Sequence, residues 1–170
     1  MTRNFLAFVV AIFASVFLSA CKYSLAGSPQ PLPFRTIAVK QVVNDSYAPQ
    51  ASAPLTTQIC RKISESPALE LVDLDDAQAV LEVEIIDYAK DTFATKSTDT
   101  ALARAMTVNL RAKATLKNLK DGSMLFKDKI FEVDSRVFSN GSMLDNEYSN
   151  MPVMTDELAR KIVDSVLGVW

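Results

Sequence analysis

The 170-residue sequence contains no histidine. That absence excludes Ser-His-Asp chemistry, most zinc sites and the commonest general base. Glycine occurs only four times, and no phosphate-cradling loop or dinucleotide fingerprint can be assembled from those positions. Cysteine occurs twice, at Cys21 and Cys60. Neither sign of charge is in large excess: the formal net charge is −2, so the whole molecule has no attraction for nucleic acid. The carboxylate groups that could serve a hydrolase as acid and base are Asp73, Asp75 and Asp76, and Glu82 with Glu84. The first set falls in a turn and the second on the wet side of a strand, where solvated acids are ordinary. The chain therefore reads as a non-enzyme that needs neither metal nor cofactor.

What is present begins with one long apolar run. Arg3 precedes it, Phe5–Ala20 makes it up, and Leu18-Ser19-Ala20-Cys21 closes it. A charged start, an apolar middle and small residues before a cut form a secretory signal. The run is short for a membrane span, which needs roughly 20 apolar residues. Cysteine straight after Leu-Ser-Ala resembles the lipobox of bacterial lipoproteins, which implies a signal peptide over 1–20 and acylation of Cys21. Cleavage would remove Arg3 and no acid, taking the net charge from −2 to −3. With Cys21 acylated, Cys60 has no disulfide partner and reads as a small apolar filler. Residues 21–34 hold Ser28, Pro29, Pro31 and Pro33 and read as an extended tether. Residues 35–170 read as a single domain.

Within that domain the hydrophobic period alternates between two and four. Arg35–Val43 is rich in β-branched residues and reads as a strand. Ser52 is placed to cap a helix with Pro54 in its first turn and a Leu55, Ile59, Ile63 stripe. Ala68–Val72 reads as a short strand. Ala79–Tyr88 sets Leu81, Val83 and Ile85 against Glu82 and Glu84. Residues 91–101 form a polar loop. In Ala105–Lys117, alternation holds over six repeats, which no helix can satisfy. Asn118–Gly122 is a turn, and Met124–Val133 returns with a bulge near Asp128 and Lys129. Residues 139–151 read as a polar connection, after which Pro152 opens a last amphipathic helix. The order β-α-β-β-β-α predicts an α+β domain of two layers. A four-stranded mixed sheet carries two helices on one face, and the other face is left to Arg111, Lys113, Thr115 and Lys117.

Taken in order, Cys21-Lys-Tyr-Ser-Leu25, the Thr36–Val43 strand, Ala79–Tyr88 followed by Ala89-Lys-Asp-Thr92, Met106-Thr-Val-Asn109, Phe138-Ser-Asn140 and the last helix resemble the LPS-assembly lipoprotein family (LptE). Lys22 departs from the Gly usual in that family before the aromatic. The resemblance implies an outer-membrane, periplasm-facing, lipid-anchored protein that sits as a plug in a large β-barrel partner (LptD-like). The pair would help place lipopolysaccharide in the outer leaflet, with no nucleic-acid partner.

An anionic glycolipid calls for accessible Lys or Arg. The candidates are Lys90 and Lys96 in or beside the polar loop, and Arg111, Lys113 and Lys117, which point together along one strand face where every second residue is about 7 Å further on. A competing reading is another envelope lipoprotein of the curli-export or TolB-amino-domain type, forming a homo-oligomer or docking on envelope proteins.

Overall fold

The computed structural model describes residues 32–48, 50–93, 104–139 and 143–169. The leader, Cys21, most of the tether and Lys96 lie outside the described residues. The elements are β1 (Thr36–Val39), β2 (Val43–Asn44), α1 (Ser52–Glu65), β3 (Glu70–Leu71), β4 (Ala79–Phe93), β5 (Arg104–Asn118), β6 (Met124–Ser139) and α2 (Met143–Leu167). The class is the expected α+β, with a mixed sheet of six strands rather than four. The order across the sheet is β3-β1-β4-β5-β6, and β2 also pairs with β4. β1, β2 and β3 enter by parallel pairings, and β4, β5 and β6 form an antiparallel meander.

The strand expected over 35–43 divides in two. Lys40 N–H still donates to the Leu81 carbonyl at 3.0 Å. The chain then leaves β4, because Val42 is buried and its N–H donates instead to Thr56 Oγ1 at 3.1 Å. β2 rejoins β4 at Glu84.

Leu55, Ile59 and Ile63 of α1 and Met154, Leu158 and Ile162 of α2 are fully buried in one cluster with Ile37, Leu81, Ile85, Leu110 and Leu116. Both helices thus share one sheet face, as two one-sided layers require. Phe34 and Leu69 close the core at the end where β1 begins. Helix-to-helix contact is fastened at the surface by Asp156, which accepts from Arg61 Nη2 at 2.8 Å and lies 2.9 Å from Lys62 Nζ.

Two helix starts differ from expectation. Ala51, not Ser52, is the N-cap of α1, and no side chain caps it; Ala51 is fully buried, so packing outweighs the cap that Ser52 could have supplied. Pro152 lies inside α2, which begins at Met143. An internal proline costs a helix about 3 kcal/mol. Burial of Met151 and a 3.0 Å bond from Ser135 Oγ to Asn150 Oδ1 hold the preceding turn against the sheet. No helix among the described residues is long and apolar enough to cross a membrane.

Candidate functional site

Strand alternation sends one set of β4–β5–β6 side chains into the core and the other onto the face opposite the helices. On β5, Val108, Leu110, Ala112, Ala114 and Leu116 are buried, while Asn109, Arg111, Lys113, Thr115 and Lys117 are half-exposed on the outer side. Register decides what each meets. Lys113 is paired with Glu84 on one side and Ile130 on the other, and Arg111 with Asp87 and Glu132.

The outer face is consequently a lattice of paired charges. Lys113 Nζ lies 3.0 Å from Glu84 Oε1. Arg111 donates to Asp87 Oδ2 from Nη2 at 2.6 Å and from Nε at 3.2 Å. Asn109 Nδ2 donates to Asp134 Oδ1 at 2.7 Å and also to Glu132. Lys40 pairs with Glu82. The hydrogen bond to Glu84 raises the Lys113 pKa, and the nearby Glu84, Asp128 and Asp45 charges push it the same way. Lys113 is therefore a permanent cation among acids.

A shallow depression of about 370 Å³ opens on this face, lined by Lys40, Gln41, Val43, Glu82, Val83, Glu84, Lys113, Thr115 and Asp128. It lies beside the break between β1 and β2, where the ladder to β4 is interrupted. Asp128 enters it through a bulge in β6: its φ is 49°, and its N–H donates to Thr115 Oγ1 at 3.1 Å. Sequence alternation had marked this bulge. Among the described residues, no three His, Cys, Asp or Glu side chains are placed to hold a metal ion.

A second bulge, at Ile86, carries a result that alternation alone did not reveal. Ile85 pairs with Ala112 and Asp87 with Arg111, so Ile86 is extra. The phase of the strand reverses there. Asp87 turns outward to meet Arg111, and Tyr88 turns inward opposite Leu110. The doubled Ile85-Ile86 followed by Asp87 was the available signal. The same reversal puts Lys90 opposite the buried Val108, on the helix side of the sheet, with its Nζ 5.2 Å from the centre of the Tyr88 ring. Lys90 and the strand cations are thus on opposite faces.

Lys117 pairs in register with Met124 and has no ion-pair partner among the described residues. Cys60 is half-buried on α1, and burial pushes its thiol pKa up.

The fold and this surface define a class: a small two-layer α+β domain with both helices on one sheet face and paired charges on the other. The chain belongs to the lipopolysaccharide-assembly family LptE, whose family model matches residues 34–166. No curated protein matches the sequence significantly.

Among solved structures it is similar to the hypothetical protein CT253 from Chlamydia trachomatis. That match has a TM-score of 0.59 and 16% identity over 80% of this chain and 97% of that one. It is also similar to a minor lipoprotein from Acinetobacter baumannii, with a TM-score of 0.54 and 10% identity over 79% and 93% of the two chains. A third likeness is to protein XCC0632 from Xanthomonas campestris, with a TM-score of 0.54 and 10% identity over 82% and 87%. At these identities the likeness concerns the fold alone. Family membership makes the chain a component of lipopolysaccharide assembly, a role that is not enzymatic.

Proposed function

We propose that this chain is an acylated outer-membrane lipoprotein. It plugs a large β-barrel partner and helps deliver lipopolysaccharide to the outer leaflet. The observation that carries the reading is the family match over nearly all of the domain, joined to the Leu18-Ser19-Ala20-Cys21 signature at the end of a leader. On this reading residues 1–20 are removed, Cys21 carries the acyl chains and the stretch up to residue 34 links the anchor to the domain.

The candidate cations then divide by their surroundings. Arg111 and Lys113 already hold carboxylates, so an incoming phosphate would have to displace Asp87 and Glu84 and lie beside them. Such a balanced face suits a polar barrel lumen better than an isolated anion. We assign the outer sheet face to the barrel wall, and keep Lys90, on the opposite face, and Lys96 as the candidates for glycolipid phosphates. Lys117 stands at the end of the sheet where β5 turns into β6.

Photo-crosslinking from positions 113 and 96 in growing cells tests both assignments. A barrel adduct from 113 and a glycolipid adduct from 96 are expected. If neither a barrel adduct nor copurification with a barrel is found in detergents that preserve outer-membrane complexes, the plug reading fails.

A further inference from the structure

One end of the domain gathers exposed apolar side chains that the sheet lattice does not use. Leu74 is 49% exposed, Met124 50% and Leu119 39%. They sit on different segments, yet the topology brings them together. Leu71, Ile37, Ala79 and Asn118 form one row across β3, β1, β4 and β5. The chain turns beyond that row at both sides. Leu119 N–H donates to the Gln78 carbonyl at 2.7 Å, which binds the β5–β6 turn to the 73–78 loop that carries Leu74. Met124 follows the turn, opposite Lys117.

The polypeptide also enters the domain at this end. Arg35 N–H donates to Gln78 Oε1 at 2.9 Å, and the Arg35 carbonyl accepts from Glu70 at 2.9 Å. Eleven residue steps separate Leu32 from Cys21, a contour of at most about 40 Å. Arg35, Lys117 and Lys120 stand here with no ion-pair partner among the described residues. Glu70, Asp73, Asp75, Asp76 and Asp121 outnumber them, so this end has no excess of positive charge. Apolar contact, not bulk charge, is what it can offer.

We propose that, before the domain enters its barrel partner, this end rests on the phospholipid surface that holds the anchor. Leu74, Leu119 and Met124 dip into the headgroup layer, and Lys117 and Lys120 reach lipid phosphates with their stems along the apolar patch. The inference rests on the acylation of Cys21 proposed above. The anchor holds the domain near the bilayer, so weak contacts at the tether end become intramolecular. A patch with no excess of positive charge should bind without needing anionic lipid. The opposite end has its own reporter: α2 runs so that Ser165 lies at Lys129 and Asn150 at Ser135, which puts the exposed Val153 away from the turn.

The test uses the full acylated protein purified from cells, with Cys60→Ala, in phosphatidylethanolamine–phosphatidylglycerol vesicles. Nitroxides are attached through Leu119→Cys, Met124→Cys or, as the distal control, Val153→Cys. At 119 and 124, collision with lipid-dissolved oxygen should exceed collision with an aqueous nickel chelate. At 153 the ratio should be reversed. If the protein floats with the vesicles but all three labels are equally exposed to the chelate, the inference is wrong and the anchor stands. If 119 and 124 are shielded from both quenchers, a protein surface covers this end, and the inference is likewise wrong. An unmodified Cys21 with no flotation removes the acylation reading and the inference together.

Discussion

Individual residues in this domain are tested most cleanly where one side chain has one identifiable role. Asp156 lies between Arg61 and Lys62. Hydrogen bonding from Lys62, reinforced by the Lys62 and Arg61 charges, holds its carboxyl below the ordinary value. A depressed carboxylate pKa stabilises the fold above the unfolded value and loses that contribution as pH falls through the folded one. Half-exposed pairs of this kind are worth about 0–1 kcal/mol. Asp156→Asn should therefore lower stability by up to about 1 kcal/mol near neutrality, and the difference should shrink as pH falls below the ordinary carboxylate range; urea titrations at neutral and acid pH read it. Gly122 offers a conformational counterpart. Its φ is 72°, and a Cβ there would meet nothing within 4 Å. The cost of Gly122→Ala is then the left-handed backbone alone, about 1–2 kcal/mol, with Gly122→Asn costing less; thermal melts of both variants separate this from a steric effect.

At the scale of elements, α2 and β6 make polar contacts besides their apolar packing. Thr155 is fully buried, and its Oγ1 donates to the Met151 carbonyl at 3.0 Å and the Pro152 carbonyl at 3.1 Å. Those carbonyls belong to the turn where the proline enters the helix. Thr155→Val keeps the shape and removes the donor, and should cost about 1–2 kcal/mol by denaturant titration. β6 is the edge of the sheet. Lys161 Nζ donates to its Glu132 carbonyl at 2.7 Å, occupying one acceptor that another strand could otherwise use. Lys161→Glu should increase concentration-dependent association, visible in light scattering, with little change in the melting curve.

For the whole molecule, the position of the core sets what the amino-terminal segment can contribute. Among the described residues the buried apolar side chains run from Phe34 to Val166 and, Ala38 and Val80 apart, form one cluster. A chain beginning at residue 31 should therefore melt like the mature protein while losing membrane association. Matching thermal melts together with separation from vesicles on flotation is the expected result; a large drop in melting temperature would mean that the preceding residues belong to the folding unit.

Much of this architecture was written in local pattern. The unbroken alternation of Ala105–Lys117 identified β5 and its two faces, because period two admits no helix. The Leu55, Ile59, Ile63 spacing identified the buried stripe of α1 for the equivalent reason. Lys113 and Arg111 were correctly placed on the outer face. Their partners were not legible, because Glu84 and Asp87 become neighbours only through the β4–β5 register, and Asp87 only through the extra residue at Ile86. A face read as basic from one strand is, across three strands, a lattice of ion pairs.

The sequence by itself determined the class of fold, the positions of the long strands and the buried stripes of the two helices; each is set by residues adjacent along the chain or one turn apart. The tertiary structure decided which charges are paired, where Lys90 points and which segments meet at the tether end. It also decided that Ala51 rather than Ser52 is the N-cap of α1 and that Pro152 is carried inside α2. These outcomes depend on residues far apart in sequence, where packing and register outweigh local preference by about a kcal/mol or more.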